Sequence, residues 1–417
     1  MQELGYKLYL VFITSWFLHL TSRISILGVL RFDFLLIAVM VGMIIYQGNV
    51  TENKYFQSNT AKILLLIIIY VLITLPFVEW PGSVIKKGIP EFIKAIVFYF
   101  FTISFIDTEK KLKVFILVFL ACLSFRVFEP LYLHLTEGYW GSAAYAQGDF
   151  MNRLAGAPHD VINPNGLAAI IDSTIPFLYF FAPFSWLYTL LFACAMPPFL
   201  YALVLTGSRS GLVGLMAIVI GCIIKSKHKA LLTAIVCICG IIFFVNLSAE
   251  HQDRYVSIVD PNVRHSATSH ARIEGIIDSF EVALRRPVFG HGLGTSAEAN
   301  FNFSGEYKIA HNLYAEVTQE LGLVGLLIYL FFLKTIIVNF IHSNKVLQES
   351  VDEGSFLKRF NDAMQVWLFM NVLFSLASFG LSSYIWYLFG GLSIVMVRLS
   401  SQVHEHGDET VDTGSES

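Results

Sequence analysis

Residues 185–225 read SWLYTLLFACAMPPFLYALVLTGSRSGLVGLMAIVIGCIIK, and this stretch decides the class of the fold. Two apolar segments, 185–206 and 210–225, flank a short polar turn that contains Arg209. A helix of about 20 apolar residues is long enough to cross the hydrocarbon core of a bilayer. The stretch therefore predicts two membrane helices joined by a tight turn at Thr206–Gly211.

The same pattern covers most of the chain, in which 55% of the residues are hydrophobic and 14% are charged. A soluble domain carries nearer to a quarter of charged residues, so the composition indicates a membrane protein. With a span of roughly 20 apolar residues as the measure, about twelve helices are predicted. They cover residues 6–22, 32–47, 61–79, 92–106, 112–134, 165–183, 185–206, 210–225, 229–247, 321–341, 364–381 and 383–399. The fold class is therefore an all-α polytopic membrane protein, although the last two segments also fit a re-entrant hairpin.

Other features of the sequence exclude several classes of protein. The first apolar segment is not a cleaved signal peptide, because it lacks a small-residue cleavage site and the next segment follows after about ten residues. The cysteines lie inside apolar runs and show neither a disulfide framework nor a zinc spacing. The net charge of −3 is small and the basic residues are dispersed, so charge gives no argument for nucleic acid. No nucleic-acid partner is predicted.

The orientation follows from basic residues in the connections between helices, because these residues are enriched on the cytoplasmic side. Four basic connections fall on one side if the predicted helices alternate in direction. They contain Lys54 and Lys62, Lys110, Lys111 and Lys113, Lys225, Lys227 and Lys229, and Lys345, Lys358 and Arg359. That side is predicted to be the cytoplasm and to hold both termini. The connections placed outside are 23–32, 80–91, 135–164, 207–209, 248–320 and 382.

This topology divides the chain into four parts. About nine membrane helices are predicted within residues 1–247, and about three more within 321–399. Between them, residues 248–320 form a large outer loop that contains an amphipathic helix. The acidic tail at 400–417 is predicted to be disordered in the cytoplasm.

The amphipathic helix is predicted from residues 269–280, where apolar side chains recur at helical spacing. Ile273, Ile276, Ile277 and Phe280 share one face, which suits a helix lying against the membrane surface. The glycine-rich turn at Gly290–Gly294 resembles a nucleotide-binding loop only superficially, since no strand precedes it.

The outer side carries many cations that the topology rule does not explain. They are Arg23, Arg31, Lys86, Lys87, Arg153 and Arg209, and in the large loop Arg254, Arg264, His265, His270, Arg272, Arg285, Arg286, His291 and His311. Any one of them fits snorkelling at a helix end or contact with a lipid headgroup. As a set on one face, they favour a common anionic ligand. Lys86 and Lys87 enter this hypothesis on their charge alone.

Arg209 makes the strongest individual case for an anion site. The glycines of Thr206–Gly211 allow a turn with positive φ, and the amides before Gly211 open a helix N-terminus that favours an anion. The guanidinium adds a planar fork that fits phosphate oxygens. An arginine costs on the order of 3 kcal/mol at the centre of a membrane helix, and a bound anion would offset such a cost. A purely structural turn is the alternative.

His311 stands where the outer loop runs into the predicted helix at 321–341. A neutral imidazole can accept a proton near neutral pH. Glu316 either orients this imidazole or solvates the entry of the helix. An interfacial histidine can be structural, but the association with the arginine set favours proton transfer.

These motifs resemble those of the O-antigen ligase and polymerase superfamily. The resemblance rests on TGSRSG at 206–211, ARIE at 271–274, RPVFGHGLG at 286–294 and HNLYAEVTQELGLVG at 311–325, with RLAG at 153–156 and NPNGLA at 163–168 similar to the preceding outer loop. It extends in motif form over residues 150–340, and the rest of the chain matches in topology only.

The resemblance implies the multi-helix architecture of lipid-dependent, GT-C-type glycosyltransferases, with a periplasmic loop over the active site. Members of the family transfer a glycan from undecaprenyl pyrophosphate to an acceptor hydroxyl group, without a metal ion or other cofactor. Attack opposite the leaving pyrophosphate would invert the anomeric centre. The implied location is the bacterial inner membrane, where membrane lipids are further partners.

Site residues follow from the resemblance position by position. Arg209 and Arg272 would bind the pyrophosphate, and His311 would deprotonate the acceptor hydroxyl. Further candidate substrate contacts are Lys86, Lys87, Arg153, Asn165 and Glu316.

The acceptor decides between two functions of the same chemistry. Ligation of O-antigen to lipid A–core is favoured, and polymerisation onto a second lipid-linked glycan is the alternative. From another class, a transporter of lipid-linked glycans fits the helix count. However, no internal repeat joins the two halves, and an outer loop from 248 to 320 is large for a carrier.

Overall fold

The computed structural model describes residues 1–46, 56–146, 149–256, 267–305, 307, 310–352, 354–378 and 380–414. Helices dominate this part of the chain. The longer ones are α1 (Gln2–Leu18), α2 (Phe32–Tyr46), α3 (Asn59–Thr74), α4 (Ile89–Phe105), α5 (Glu109–Glu137), α6 (Pro164–Phe181), α7 (Trp186–Thr206), α8 (Arg209–Lys225), α9 (Lys229–Val245), α10 (Ala249–Val256), α11 (Ala267–Arg285), α12 (Ser296–Ser304), α13 (Leu313–Ser350), α14 (Phe356–Phe374) and α15 (Tyr384–Gly414).

Shorter elements connect these helices. Single helical turns lie at Leu20–Arg23, Ser25–Val29, Leu75–Phe77, Pro81–Ser83 and Ala182–Phe184, and a π-helix lies at Val84–Gly88. An antiparallel hairpin of β1 (Gly141–Ala146) and β2 (Asp149–Leu154) follows α5, with Gly141 opposite Leu154.

Each of the predicted apolar segments overlaps a helix. Within the described ranges, seven helices are long and apolar enough to cross a membrane: α3 with its following turn, the π-helix with α4, α5, α6 with its following turn, α7, α13 and α15. The apolar helices α2 and α9 are shorter than these, with 15 and 17 residues. At 1.5 Å per residue, 17 residues reach only about 26 Å. Twelve complete spans therefore stay a prediction.

The segment predicted as either two spans or a re-entrant hairpin forms two long helices. They are α14 with 19 residues and α15 with 31 residues. Of the two, α15 is among the helices that are long and apolar enough to cross a membrane and α14 is not, so the choice between two spans and a hairpin stays a prediction.

The connections predicted to lie outside contact one another at one end of the helical bundle. The N–H of Glu79 donates to the carbonyl of His291, and Leu313 N–H donates to the Ser375 carbonyl at 2.9 Å. His19 lies 3.2 Å from the Asp160 carboxylate. This end carries the Thr206–Gly211 turn, so we call it the turn end.

The basic connections meet at the opposite end. Lys225 binds Asp362 at 2.8 Å, joining the end of α8 to the start of α14. Arg359 donates to the Phe180 carbonyl, and Lys113 stacks over the Phe356 ring. The alternation of the helices thus separates the two groups of connections. Which end faces the cytoplasm stays a prediction.

The centre of the bundle is formed by α4, α13 and α15. Glycines allow α15 to approach α4 closely, because a Cβ at Gly391 would lie 2.7 Å from the Thr102 Cβ. Buried Arg398 of α15 donates to the carbonyls of Ile103 and Ile106, which end α4. A cation at a helix C-terminus also interacts favourably with the helix dipole.

The last helix continues beyond the predicted end of the final span, to Gly414. Val403 packs against the core, and His404 Nδ1 lies 3.0 Å from the Ser350 hydroxyl. These contacts extend order past residue 399, where the acidic composition predicts a disordered tail. Residues 415–417 lie outside the described part of the chain.

Candidate active site

The turn between α7 and α8 is built by its own backbone and serines. Gly207 ends α7 with φ 53°, a left-handed conformation that glycine adopts without strain. Ser208 caps α8, and its hydroxyl accepts the Gly211 N–H at 3.1 Å. Arg209 is the first residue of α8 and is buried. A guanidinium therefore stands at a capped helix N-terminus, as the sequence predicts.

Arg153 and Asn165 both hold this turn. Arg153, on β2, donates from Nε to the Thr206 carbonyl at 2.7 Å and from Nη2 to the Asn165 side-chain oxygen at 3.0 Å. The same Asn165 oxygen accepts the Ser208 hydroxyl at 2.9 Å. Two of the predicted substrate contacts thus lie against the predicted Arg209 turn.

Arg254 completes the cluster from the opposite side. It lies on α10, is buried, and donates from Nε to the carbonyl of Gly207. The sequence places Arg254 among the outer cations but predicts no specific role for it. We call Arg153, Arg209 and Arg254 the arginine cluster.

The pKa of Tyr255 is affected both by burial and by the positive charges of the arginine cluster. Burial raises the pKa of Tyr255 to about 12, although the positive charges of Arg254 and Arg153 act in the opposite direction. The phenol is therefore uncharged at neutral pH and sits within the electrostatic reach of both guanidinium groups.

His311 lies at the turn end and is exposed. It directly precedes Asn312, which caps α13 by accepting the Ala315 N–H at 2.9 Å. Asn312 also donates to the Leu376 carbonyl at 3.0 Å, which fixes this helix start against the end of α14. The backbone around His311 is therefore anchored, and its side chain is exposed to solvent.

A short path of contacts joins His311 to the arginine cluster. Gly214 lies five residues after Arg209, and a Cβ there would be 3.5 Å from the Phe374 ring. Phe374 ends α14, and the next carbonyl, that of Ser375, accepts the Leu313 N–H. Both predicted groups therefore lie near the turn end of the α8–α14 contact.

Glu316 is buried and does not solvate the entry of α13, so that interpretation is wrong. Its carboxylate lies against the backbone of Gly380, where a Cβ would be 2.3 Å from Oε1. One turn later, Glu320 is also buried, and its Oε1 lies 3.4 Å from the Ser296 amide at the start of α12. These two carboxylates contact the backbone of the neighbouring connections and so hold them against α13.

The glycine-rich turn has a packing role. Gly290, Gly292 and Gly294 all have positive φ. The amide of Gly292 donates to the Glu320 carbonyl at 3.0 Å, beside a break in α13 at Gly322. A Cβ at Gly322 would lie only 2.2 Å from the Val288 carbonyl oxygen. Two backbones meet here, which explains the glycines without a nucleotide.

Lys86 and Lys87 lie on a different element from the residues of the arginine cluster. Lys86 and Lys87 are exposed on the π-helix Val84–Gly88. Gly88 contacts the glycine-rich turn, because a Cβ there would lie 2.1 Å from the Leu293 carbonyl oxygen. Within the described part of the chain, neither lysine forms a hydrogen bond or ion pair with the arginine cluster.

The structure places the remaining predicted outer cations in different surroundings. Arg272 lies within α11, but its side chain falls outside the described part of the chain. Arg264 and His265 also lie outside it. Arg23 forms an ion pair with Glu129, which gives this arginine a structural role. On α11, Ile277 and Phe280 are exposed on the predicted apolar face.

Within the described ranges of the chain, no group of three or more histidine, cysteine, aspartate or glutamate side chains is arranged to hold a metal ion.

Fold and site together define a polytopic helical membrane protein with a buried arginine cluster at a helix N-terminus. A family model described as O-antigen ligase matches residues 194–330, which include the Thr206–Gly211 turn, Arg254, Arg272 and His311. This match supports membership of the O-antigen ligase superfamily. A search of curated proteins found no match.

The matched family indicates an enzyme of the O-antigen ligase or polymerase type, related to glycosyltransferases. Such enzymes act in general on lipid-linked glycans and lipid A–core. Together with the apolar helices, the family indicates a multi-pass protein of the bacterial inner membrane.

Proposed function

We propose that the protein transfers a glycan from undecaprenyl pyrophosphate to an acceptor hydroxyl on the periplasmic side, most directly to lipid A–core. The observation that carries the proposal is the convergence of three buried guanidinium groups on one helix N-terminus. Together with the helix N-terminus, these groups create a positive potential that favours an anion. A pyrophosphate carries the opposite charge and fits the planar fork of arginine.

The donor site is centred on Arg209 and the N-terminus of α8. Helix N-termini carry a partial positive charge and point N–H groups at anions. Arg153 and Arg254 bind the carbonyls of Thr206 and Gly207, and so hold the turn while adding positive charge beside it. Arg272 is the second pyrophosphate ligand of the proposal, from the motif on α11.

The reaction breaks the bond between the anomeric carbon and the pyrophosphate oxygen and forms one to the acceptor oxygen. Negative charge grows on the leaving pyrophosphate, so fixed guanidinium groups stabilise the transition state more than the ground state. His311 takes the proton of the acceptor hydroxyl, a contribution of about 10²–10⁴-fold. Attack opposite the leaving group inverts the anomeric centre, and no metal ion takes part.

The direct test uses purified protein, undecaprenyl-pyrophosphate glycan and lipid A–core in the presence of a chelator. We expect free undecaprenyl pyrophosphate and a larger glycolipid. Donor supplied alone tests the polymerase, which would instead produce longer lipid-linked glycans. Arg359→Ala at the opposite end is the matched control for Arg209→Ala. Transport into sealed vesicles without any new glycosidic bond would refute the proposal.

The side of the membrane needs its own measurement. Thr136 and Lys227 are exposed at opposite ends of the bundle. In a variant without native cysteines, Thr136→Cys should react with an impermeant maleimide added to intact spheroplasts, and Lys227→Cys should not. The reverse labelling pattern would place the arginine cluster in the cytoplasm and contradict the proposal.

A further inference from the structure

A cavity of about 520 Å³ lies beside the arginine cluster, between α1, α5, α6, α14 and α15. Its walls include Trp16, His19, Asp33, Arg126, Trp367 and Tyr384. Binding pockets for small molecules measure roughly 300–1,000 Å³ and combine apolar walls with a few convergent polar groups. The cavity has both the size and the composition of such a pocket, and the donor chemistry described above does not use it.

His19 is held in this cavity under backbone strain. It ends α1 with φ 50°, in the left-handed region that non-glycine residues rarely adopt. Strained residues of this kind persist where the surrounding structure fixes them, and they cluster at functional sites. The strained conformation brings His19 Nδ1 to within 3.2 Å of Asp160 Oδ1.

A buried ion pair fixes the orientation of this imidazole. Arg126 donates from Nε and Nη2 to the two oxygens of Asp160, at 2.6 and 2.7 Å. The Asp160 carboxylate is an acceptor only, so its contact assigns the imidazole proton to Nδ1. Nε2 of His19 is then left with its lone pair as a hydrogen-bond acceptor.

Asp33 is the second acceptor in the cavity wall. The Ser15 hydroxyl donates to Asp33 Oδ1 at 2.6 Å, which fixes this carboxylate. The aromatic rings of Trp16, Trp367 and Tyr384 supply flat apolar walls around the two acceptors. Hydroxyl donors together with flat C–H faces are the features of a sugar ring. A phosphate would face the Asp33 carboxylate and is disfavoured by charge.

The cavity adjoins the site where the donor would react. Gly166 lines the cavity, and its neighbour Asn165 binds both Arg153 and Ser208. A ligand in the cavity is therefore separated from the Arg209 turn by the first turn of α6.

We propose that this cavity binds the acceptor sugar, with His19 Nε2 and the Asp33 carboxylate accepting hydrogen bonds from its hydroxyl groups. The inference rests on the proposed glycosyl transfer and adds the acceptor subsite to it. His19 here is a binding residue, whereas His311 removes the proton. The acyl chains of a lipid acceptor stay outside, since the cavity holds only a few sugar rings.

Binding without the donor tests this subsite separately from catalysis. Full-length protein in nanodiscs is titrated with deacylated lipid A–core oligosaccharide and, in a second arm, with the free repeat-unit glycan. Tryptophan fluorescence reports binding, because Trp16 and Trp367 line the cavity. Saturable binding of the core oligosaccharide identifies the acceptor as core sugar, and saturable binding of the repeat-unit glycan identifies it as a further repeat unit.

His19→Asn is the decisive variant, because asparagine tolerates the left-handed backbone but lacks the imidazole acceptor. We expect acceptor affinity to fall about tenfold and the acceptor KM to rise by a similar factor, with the donor KM unchanged. His342→Asn, an exposed histidine at the opposite end, is the matched control. Asp33→Asn decides the question if His19→Asn does not fold.

The outcomes separate this inference from the proposed function. Normal transfer with unchanged acceptor KM and affinity in both His19→Asn and Asp33→Asn overturns the acceptor subsite and leaves the transferase intact. Saturable oligosaccharide binding that depends on His19, without transfer to any acceptor, supports the subsite and overturns the proposed reaction.

Discussion

Arg153 and Asn165 are joined by a hydrogen bond of 3.0 Å from the guanidinium to the side-chain amide oxygen, and this bond ties the β-hairpin to the start of α6. The same amide oxygen accepts the hydroxyl of Ser208, the cap of α8. One side chain thus connects the hairpin, α6 and the arginine turn. Asn165 is therefore expected to control the geometry of the turn.

Two substitutions of Asn165 distinguish its effect on the geometry of the turn from the effect of charge at this position. Asn165→Ala removes the oxygen that accepts from Arg153 Nη2 and from the Ser208 hydroxyl, and should lower the free energy of unfolding by about 1–3 kcal/mol. Asn165→Asp retains the acceptor but adds a negative charge beside the proposed pyrophosphate. We expect Asn165→Asp to unfold near the wild-type temperature while its donor KM rises. Unchanged donor KM in Asn165→Asp would argue against an anion at this turn.

Arg209→Ala should lower both donor affinity and turnover, because the guanidinium is proposed to contact the pyrophosphate in both states. Loss of one donor from a preorganised anion site costs on the order of 10²–10³-fold in turnover. Arg209→Lys should recover only part of this, since an ammonium lacks the bidentate fork. Donor titration and single-turnover rates measure the two effects. Equal activity of wild type and Arg209→Ala at all donor concentrations contradicts the assignment.

Gly322→Ala should destabilise the protein by about 3 kcal/mol or more. The backbone there has φ 70°, and a Cβ would lie 2.2 Å from the Val288 carbonyl oxygen. Gly240→Ala on α9 is the control, because a Cβ there meets nothing within 4 Å. The control should be neutral or stabilising by about 1 kcal/mol. Thermal unfolding in detergent compares them, and equal transition temperatures would remove the proposed packing role of Gly322.

Hydropathy makes the helices of this fold predictable, because each apolar segment must satisfy its backbone internally within lipid. The Thr206–Gly211 turn is predictable for a similar local reason, since glycine and serine are typical of helix ends. Arg153 and Asn165 are found through their motifs, although their mutual contact is not evident from spacing.

Arg254 and the His19 cavity are harder to predict because their partners are distant in sequence. Arg254 binds a backbone carbonyl 47 positions away, and a carbonyl leaves no pattern in the sequence. The Arg126–Asp160 pair spans 34 positions, and its acidic partner stands alone in the sequence. Glu316 is misread because the space for its carboxylate is provided by Gly380, far along the chain.

Asp160 should make the stability of the protein depend on acid pH. Burial alone would raise its pKa, but hydrogen bonds from His19 and Arg126 and the positive charge of Arg126 hold the pKa below its ordinary value. The stabilisation is therefore complete above the unfolded-state pKa of about 4 and is lost as the pH falls through the lower folded-state pKa. Asp160→Asn should reduce this loss and should be less stable at pH 7, where Arg126 would lack its partner. Parallel acid unfolding curves for both proteins would exclude this role.

His311→Ala should reduce turnover by about 10²–10⁴-fold while donor affinity stays within error of the wild type, because a general base acts on the acceptor proton and not on the pyrophosphate. His342→Ala is the control for losing an exposed imidazole, since it lies on α13, the helix that follows His311, but far from the turn end. Donor titration in nanodiscs gives affinity, and rapid mixing with saturating acceptor gives the rate of the chemical step. If His311→Ala weakens donor binding and leaves the chemical step unchanged, this imidazole belongs to the donor site, and another group must remove the proton.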